Sequence, residues 1–208
     1  MNLDLAGLSE RVNGDQIWAL RGKSMQAYAR LEQSLCQLFE HVGGMHKRAA
    51  WVIFFKINSA DARAKMIDKL FRMKYPDNKY SLFRNSLYNH IRPLDNKRNE
   101  IAHWNTVEFN AFDNDTQTNV ISVAMVSPAW WATTSEESVP RITSADLVNF
   151  TRECEFFASI IGRFVTMDHP HVGPKDPDER EAWLQIFAQP IVYPPPPDHP
   201  LCRYPLEP

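Results

Sequence analysis

Lys97-Arg98-Asn99-Glu100-Ile101-Ala102-His103-Trp104-Asn105-Thr106-Val107-Glu108-Phe109-Asn110-Ala111 is the stretch on which the fold turns, because its period changes midway. Up to Trp104 it reads as a short helix, with Ile101 and Ala102 free to face the protein. From Val107 onward apolar and polar residues alternate, Val107, Phe109 and Ala111 falling on one face. That two-residue period belongs to a half-covered strand. Asp113 to Thr118 is turn-like and Val120 to Val126 is β-rich, so a two-stranded hairpin is expected, closed by Ser127-Pro128.

Helical signals dominate on both sides. Upstream, Pro93 should break or kink the pattern that runs from Lys79 to Ile91, with Leu94 to Trp104 restarting after it. Pro76-Asp77-Asn78 reads as a turn. Ser59 can cap a helix from Ala60 to Tyr75, with Asp61 in its favourable first turn. Met45 to Ile57 is an apolar segment expected as a buried helix, though its β-branched content leaves a strand open. Asp15 to His41 is expected as a long helix, with Tyr28, Leu31, Leu35, Leu38 and Val42 on one stripe and Gly43-Gly44 as its stop.

Downstream, Thr143 or Ser144 should cap a last long helix from Ala145 to Thr166, striped by Leu147, Phe150, Cys154, Phe157, Ile161 and Phe164. Asp176-Pro177-Asp178-Glu179 has capping spacing with proline at the first helical position, so a short helix from Asp178 to Ala188 should follow. Of 15 prolines, 11 lie after His169. The run after Ile191 favours extended polyproline II. The expected fold is therefore mainly α: a helical domain over residues 1–169, with a hairpin insertion at about 106–127 before the last long helix. A proline-rich appendage with one short helix would occupy 170–208.

Composition narrows the function. The 208 residues are 44% hydrophobic, enough for a buried core, and carry a formal charge of −2, which excludes a globally basic nucleic-acid coat. The charge is nevertheless uneven. Met45 to Trp104 holds 13 Lys/Arg against 5 Asp/Glu, and the remainder 10 against 20. Cys36, Cys154 and Cys202 form no CxxC pair, which fits a reducing cytosol rather than a disulfide framework or zinc ribbon. The acidic, polar first residues are unlike a signal peptide, and the longest apolar run, Ala49 to Phe55, is too short to span a bilayer. A cytoplasmic protein without membrane attachment is expected. GxxxxGK[ST], GxGxxG and HExxH are absent from the sequence, so triphosphate hydrolysis and zincin chemistry have no support. His169-Pro170-His171 lacks further ligand spacing and reads as a loop. Trp130-Trp131 reads as buried against the helices.

The chemistry concentrates in the opening stretch. On an ideal helix Asn99 and His103 lie about 40° apart and Arg98 and His103 about 140° apart. Asn99 can thus orient the imidazole, while the long Arg98 reaches round toward the same space. Histidine can take or give a proton near neutral pH, and arginine can grip a phosphate and stabilise growing charge. Those residue types suit cleavage of RNA through its own 2′-hydroxyl, which needs no metal. One histidine cannot easily act as acid and base together, so a site shared by two subunits is chemically sensible. Lys97, Arg84 and Trp104 are candidate RNA contacts. Lys47, Arg48, Lys56 and Arg92 could extend a basic rim, and Tyr80 and Tyr88 could stack on bases.

Arg98-Asn99-x-x-x-His103 resembles the R-N-x-x-x-H signature of HEPN domains, including the frequent alanine before the histidine. The resemblance covers roughly Asp15 to Thr166, with the hairpin as an insertion. It implies an all-helical, usually homodimeric bundle that brings two motifs together. It also implies, in many members, a metal-independent endoribonuclease of toxin–antitoxin, abortive-infection or stress systems. Under that resemblance Arg98 and His103 match the catalytic pair and Asn99 the polar residue beside it. RNA is then the substrate, an antitoxin or activating protein a further partner, and no cofactor is implied. Asn105 stands where some members carry a modified tyrosine, so that form of control is not expected. Other members are non-catalytic binding or scaffolding modules, which is the alternative reading.

Overall fold

A computed structural model describes residues 14–113, 118–129, 139–168 and 176–203. In chain order these form α1 (Gly14–Gly43), α2 (Lys47–Lys56), α3 (Ala60–Lys74), α4 (Ser81–His103), β1 (Asn105–Asp113), β2 (Thr118–Val126), β3 (Arg141–Ile142), α5 (Ser144–Met167), α6 (Pro177–Phe187) and α7 (Pro200–Arg203). The chain is mainly helical with a small antiparallel sheet. No helix of the described residues is long and apolar enough to cross a membrane. The expected tip of the hairpin turn, the Trp130-Trp131 pair and the His169-Pro170-His171 fragment lie outside the described residues.

Local chemistry accounts for most helix starts. The Ser59 hydroxyl accepts from the Ala62 amide at 3.3 Å, and the Asp176 carboxylate accepts from the Asp178 amide at 3.0 Å. Thr143 and Asp146 cap reciprocally. The Thr143 hydroxyl accepts from the Asp146 amide at 3.2 Å, and the Asp146 carboxylate accepts from the Thr143 amide at 2.8 Å. The Met45–Ile57 segment resolves as helix, with Ala50 and Phe54 as its buried face.

The expectations for Pro93 and for the sheet need correction. Pro93 neither breaks the pattern nor starts a new helix, since α4 runs unbroken through it. Phe83, Leu87, Ile91, Leu94 and Ile101 make one buried stripe across the proline, which itself faces outward. That burial outweighs the ~3 kcal/mol cost of an interior proline. Among the described residues the sheet has three strands rather than two, in the order β1-β2-β3. β1 and β2 pair from Asn105↔Val126 to Asp113↔Thr118, and β3 adds Met125↔Ile142 and Val126↔Arg141. A two-residue strand cannot show alternation, so only its full burial at Ile142 marks it.

The chain divides into two compact units, Met1–Tyr28 with Asn96–Arg152, and Ala29–Asp95 with Glu153–Pro208. In the first, Ile17, Tyr28, Ile101, Met125, Ile142, Leu147 and Phe150 are buried, and the Tyr28 ring stacks on Phe150 with centroids 6.3 Å apart. The Ser24 hydroxyl donates to the Leu147 carbonyl at 3.1 Å. In the second, Phe164 is ringed by Phe71, Tyr80, Phe83 and Phe187 with centroids 5.1–5.4 Å away.

The proline-rich segment belongs to this second unit. The Ile191 amide donates to the Ser86 hydroxyl at 2.8 Å. Tyr193 packs on Phe156 and Phe157, and His199 is buried between Phe156 and Trp183. Its described part is thus a packed strap that ends in α7.

Candidate functional site

Every residue of the Arg98–His103 run lies on the last turns of α4, and the Trp104 amide closes the final turn onto the Glu100 carbonyl at 2.8 Å. Trp104 alone joins α4 to β1. Asn99 and His103, one turn apart, are both exposed. Arg98 is half-buried, with its guanidinium carbon 5.0 Å from the centroid of the buried Tyr28 ring, within cation–π range. Tyr28 in turn stacks on Phe150, so α1 and α5 together set the platform on which Arg98 rests. Arg98 thus lies against Tyr28, while Asn99 and His103 are exposed.

The other predicted contacts scatter. Lys97 pairs with Glu100 at 3.1 Å and places its ammonium 5.9 Å from the Trp104 ring centroid, so both flank the motif. Arg84 does not lie on an exposed rim. It is only 3% exposed and pairs with Asp68 at 3.0 Å in the second unit. Tyr80 is buried edge-on to Phe164, which explains its aromatic character by packing. Lys47, Arg48, Lys56 and Arg92 are exposed.

Sequence reading missed two residues beside the motif. Arg21 Nη2 donates to the Ala102 carbonyl at 2.6 Å, satisfying one of the carbonyls a helix end leaves open. Its guanidinium carbon also sits 4.9 Å over the Trp18 ring. The i,i+3 spacing of Trp18 and Arg21 could have shown their pairing. Nothing in the sequence connects Arg21 with a carbonyl 81 positions away.

A second polar cluster stands in the other unit. Oδ2 of Asp168 lies 2.7 Å from His41 Nε2, 2.5 Å from the Tyr75 hydroxyl and 3.1 Å from Lys74 Nζ. Burial alone would raise the Asp168 pKa, but hydrogen bonds from His41, Tyr75 and Lys74 outweigh it and hold the carboxyl well below the usual range. Burial, followed by that hydrogen bond to Asp168, pushes the Tyr75 phenol far above its ordinary value. Tyr75 is thus a poor nucleophile, and the cluster ties the ends of α1, α3 and α5 together. No group of three or more metal-ligating side chains occurs among the described residues.

Compared with family models, with curated proteins and with solved structures, the chain matches none.

Proposed function

We propose that the chain is a cytoplasmic, metal-independent endoribonuclease of the HEPN type, acting as a homodimer in a toxin–antitoxin, defence or stress response. The observation that carries this reading is that Arg98-Asn99-x-x-x-His103 occupies one uninterrupted helix end, with Asn99 and His103 exposed a turn apart. His103 takes the proton from the 2′-hydroxyl. The 2′-oxygen bonds to phosphorus, the bond from phosphorus to the 5′-oxygen breaks, and a general acid protonates that leaving oxygen. In a dimer the second His103 supplies this acid. Arg98 stabilises charge on the phosphate, and Asn99 orients the imidazole. The products are a 2′,3′-cyclic phosphate and a free 5′-hydroxyl.

A different observation favours a non-catalytic dimeric module. Arg98 is half-buried against Tyr28, a placement that also suits a structural role. An RNase assay in EDTA with wild type, Arg98→Ala and His103→Ala separates the two. Cleavage by wild type alone, leaving cyclic phosphate ends and falling by about 10²–10⁴-fold in His103→Ala, supports the nuclease. Equal cleavage by all three proteins, or none by any of them while folded and dimeric, refutes it.

A further inference from the structure

We infer that Trp18, backed by Arg21, is the stacking platform for a nucleobase of single-stranded RNA beside the phosphate cut at His103. This inference rests on the nuclease reading and names where its substrate lies.

Trp18 is 54% exposed, although tryptophan is usually a well-covered residue. It stands near the start of α1, and its ring is not left to solvent on both faces. The Arg21 guanidinium covers one face at 4.9 Å. The same guanidinium donates to the Ala102 carbonyl at 2.6 Å, and that carbonyl belongs to the peptide joining Ala102 to His103. One arginine therefore links the exposed indole to the backbone of the proposed acid/base. Summed lengths along that path place the indole centroid at most roughly 13 Å from the His103 Cα, a span of about two nucleotides.

The arrangement suits a base better than a phosphate or an apolar side chain. The exposed part of the indole can take any nucleobase, and the cation over the ring adds positive charge where a phosphate backbone must pass. Arg21 is already committed to the Ala102 carbonyl, so the platform reads a π-face and not a base edge. That makes it tolerant of sequence. It also makes it selective for single strands, because bases within a duplex have both faces covered by their neighbours.

The test uses the full chain carrying His103→Ala, so that RNA is bound without being cut. Affinity for a fluorescein-labelled ten-nucleotide RNA of mixed sequence is measured by anisotropy, with blunt duplex RNA of the same sequence as the comparison. Adding Trp18→Ala should weaken single-strand binding by roughly 5- to 100-fold. Trp18→Phe should retain most of the affinity, and duplex binding should not respond to either change. Circular dichroism verifies that each variant is folded. Unchanged single-strand binding in Trp18→Ala overturns the inference alone, as does an equal loss with phenylalanine and alanine. Absence of RNA binding by the His103→Ala parent overturns the nuclease reading and this inference with it.

Discussion

Replacing Asp168 with asparagine keeps the side-chain shape and removes the charge on which His41, Tyr75 and Lys74 converge. The carboxylate is 21% exposed, so solvent screens it only in part. A hydrogen bond to a charged group contributes about 1.5–3 kcal/mol. Three donors on one oxygen do not add independently, so the expected loss is about 2–4 kcal/mol, or about 5–15 °C in Tm for a chain of this size. The sign with pH follows from the depressed folded pKa. The contribution is fully present above the unfolded carboxyl pKa of about 3.9 and is lost as pH falls through the lower folded value. Urea unfolding of both proteins should therefore give a constant difference from pH 7 to about pH 5 that shrinks below about pH 4. A difference under about 0.5 kcal/mol at pH 7, or one unchanged at pH 3, would refute the reasoning that this charge holds the three helix ends together.

Two further substitutions probe the helices. Pro93→Ala restores an amide that can donate to the Asn89 carbonyl at an exposed position inside α4. It should stabilise the protein by about 1–2 kcal/mol after allowing for the freer unfolded chain, and a loss of stability in urea would contradict that. Glu153 is raised above its usual pKa by burial, a shift that nearby His90 only partly opposes. An acid with a raised folded pKa costs stability as pH rises past its unfolded value of about 4.3. Glu153→Gln should accordingly melt higher than wild type at pH 7, with the gain vanishing near pH 4. A gain that persists there would point to another cause.

What could be read in advance was set by neighbours in sequence. Ser59, Thr143 and Asp176 begin helices through bonds to residues two or three positions on, so their role is local and visible. The β1–β2 hairpin was legible for the same reason, as its alternation lies within one short stretch. The unbroken helix through Pro93 was not, because local chemistry votes for a break and only the buried stripe on either side overrules it. The packed strap was hidden by its prolines, which advertise extension, while the contacts of Tyr193 and His199 come from α5 and α6. At the candidate site, the motif and its place on a helix were readable, whereas Tyr28 under Arg98 and Arg21 on Ala102 each bridge about 70 to 80 positions.

The ring of aromatics about Phe164 has a bearing on synthesis. Phe71, Tyr80 and Phe83 emerge from the ribosome well before Phe164, and Phe187 and Trp183 follow later still. Until α6 has been made, the earlier rings lack the partners that cover them. The residues assigned to the first unit, His103 among them, are all polymerised by Arg152. A nascent chain thus carries the whole chemical motif while its larger apolar cluster is still incomplete, and for that interval it is a natural client for chaperones that bind exposed aromatic side chains.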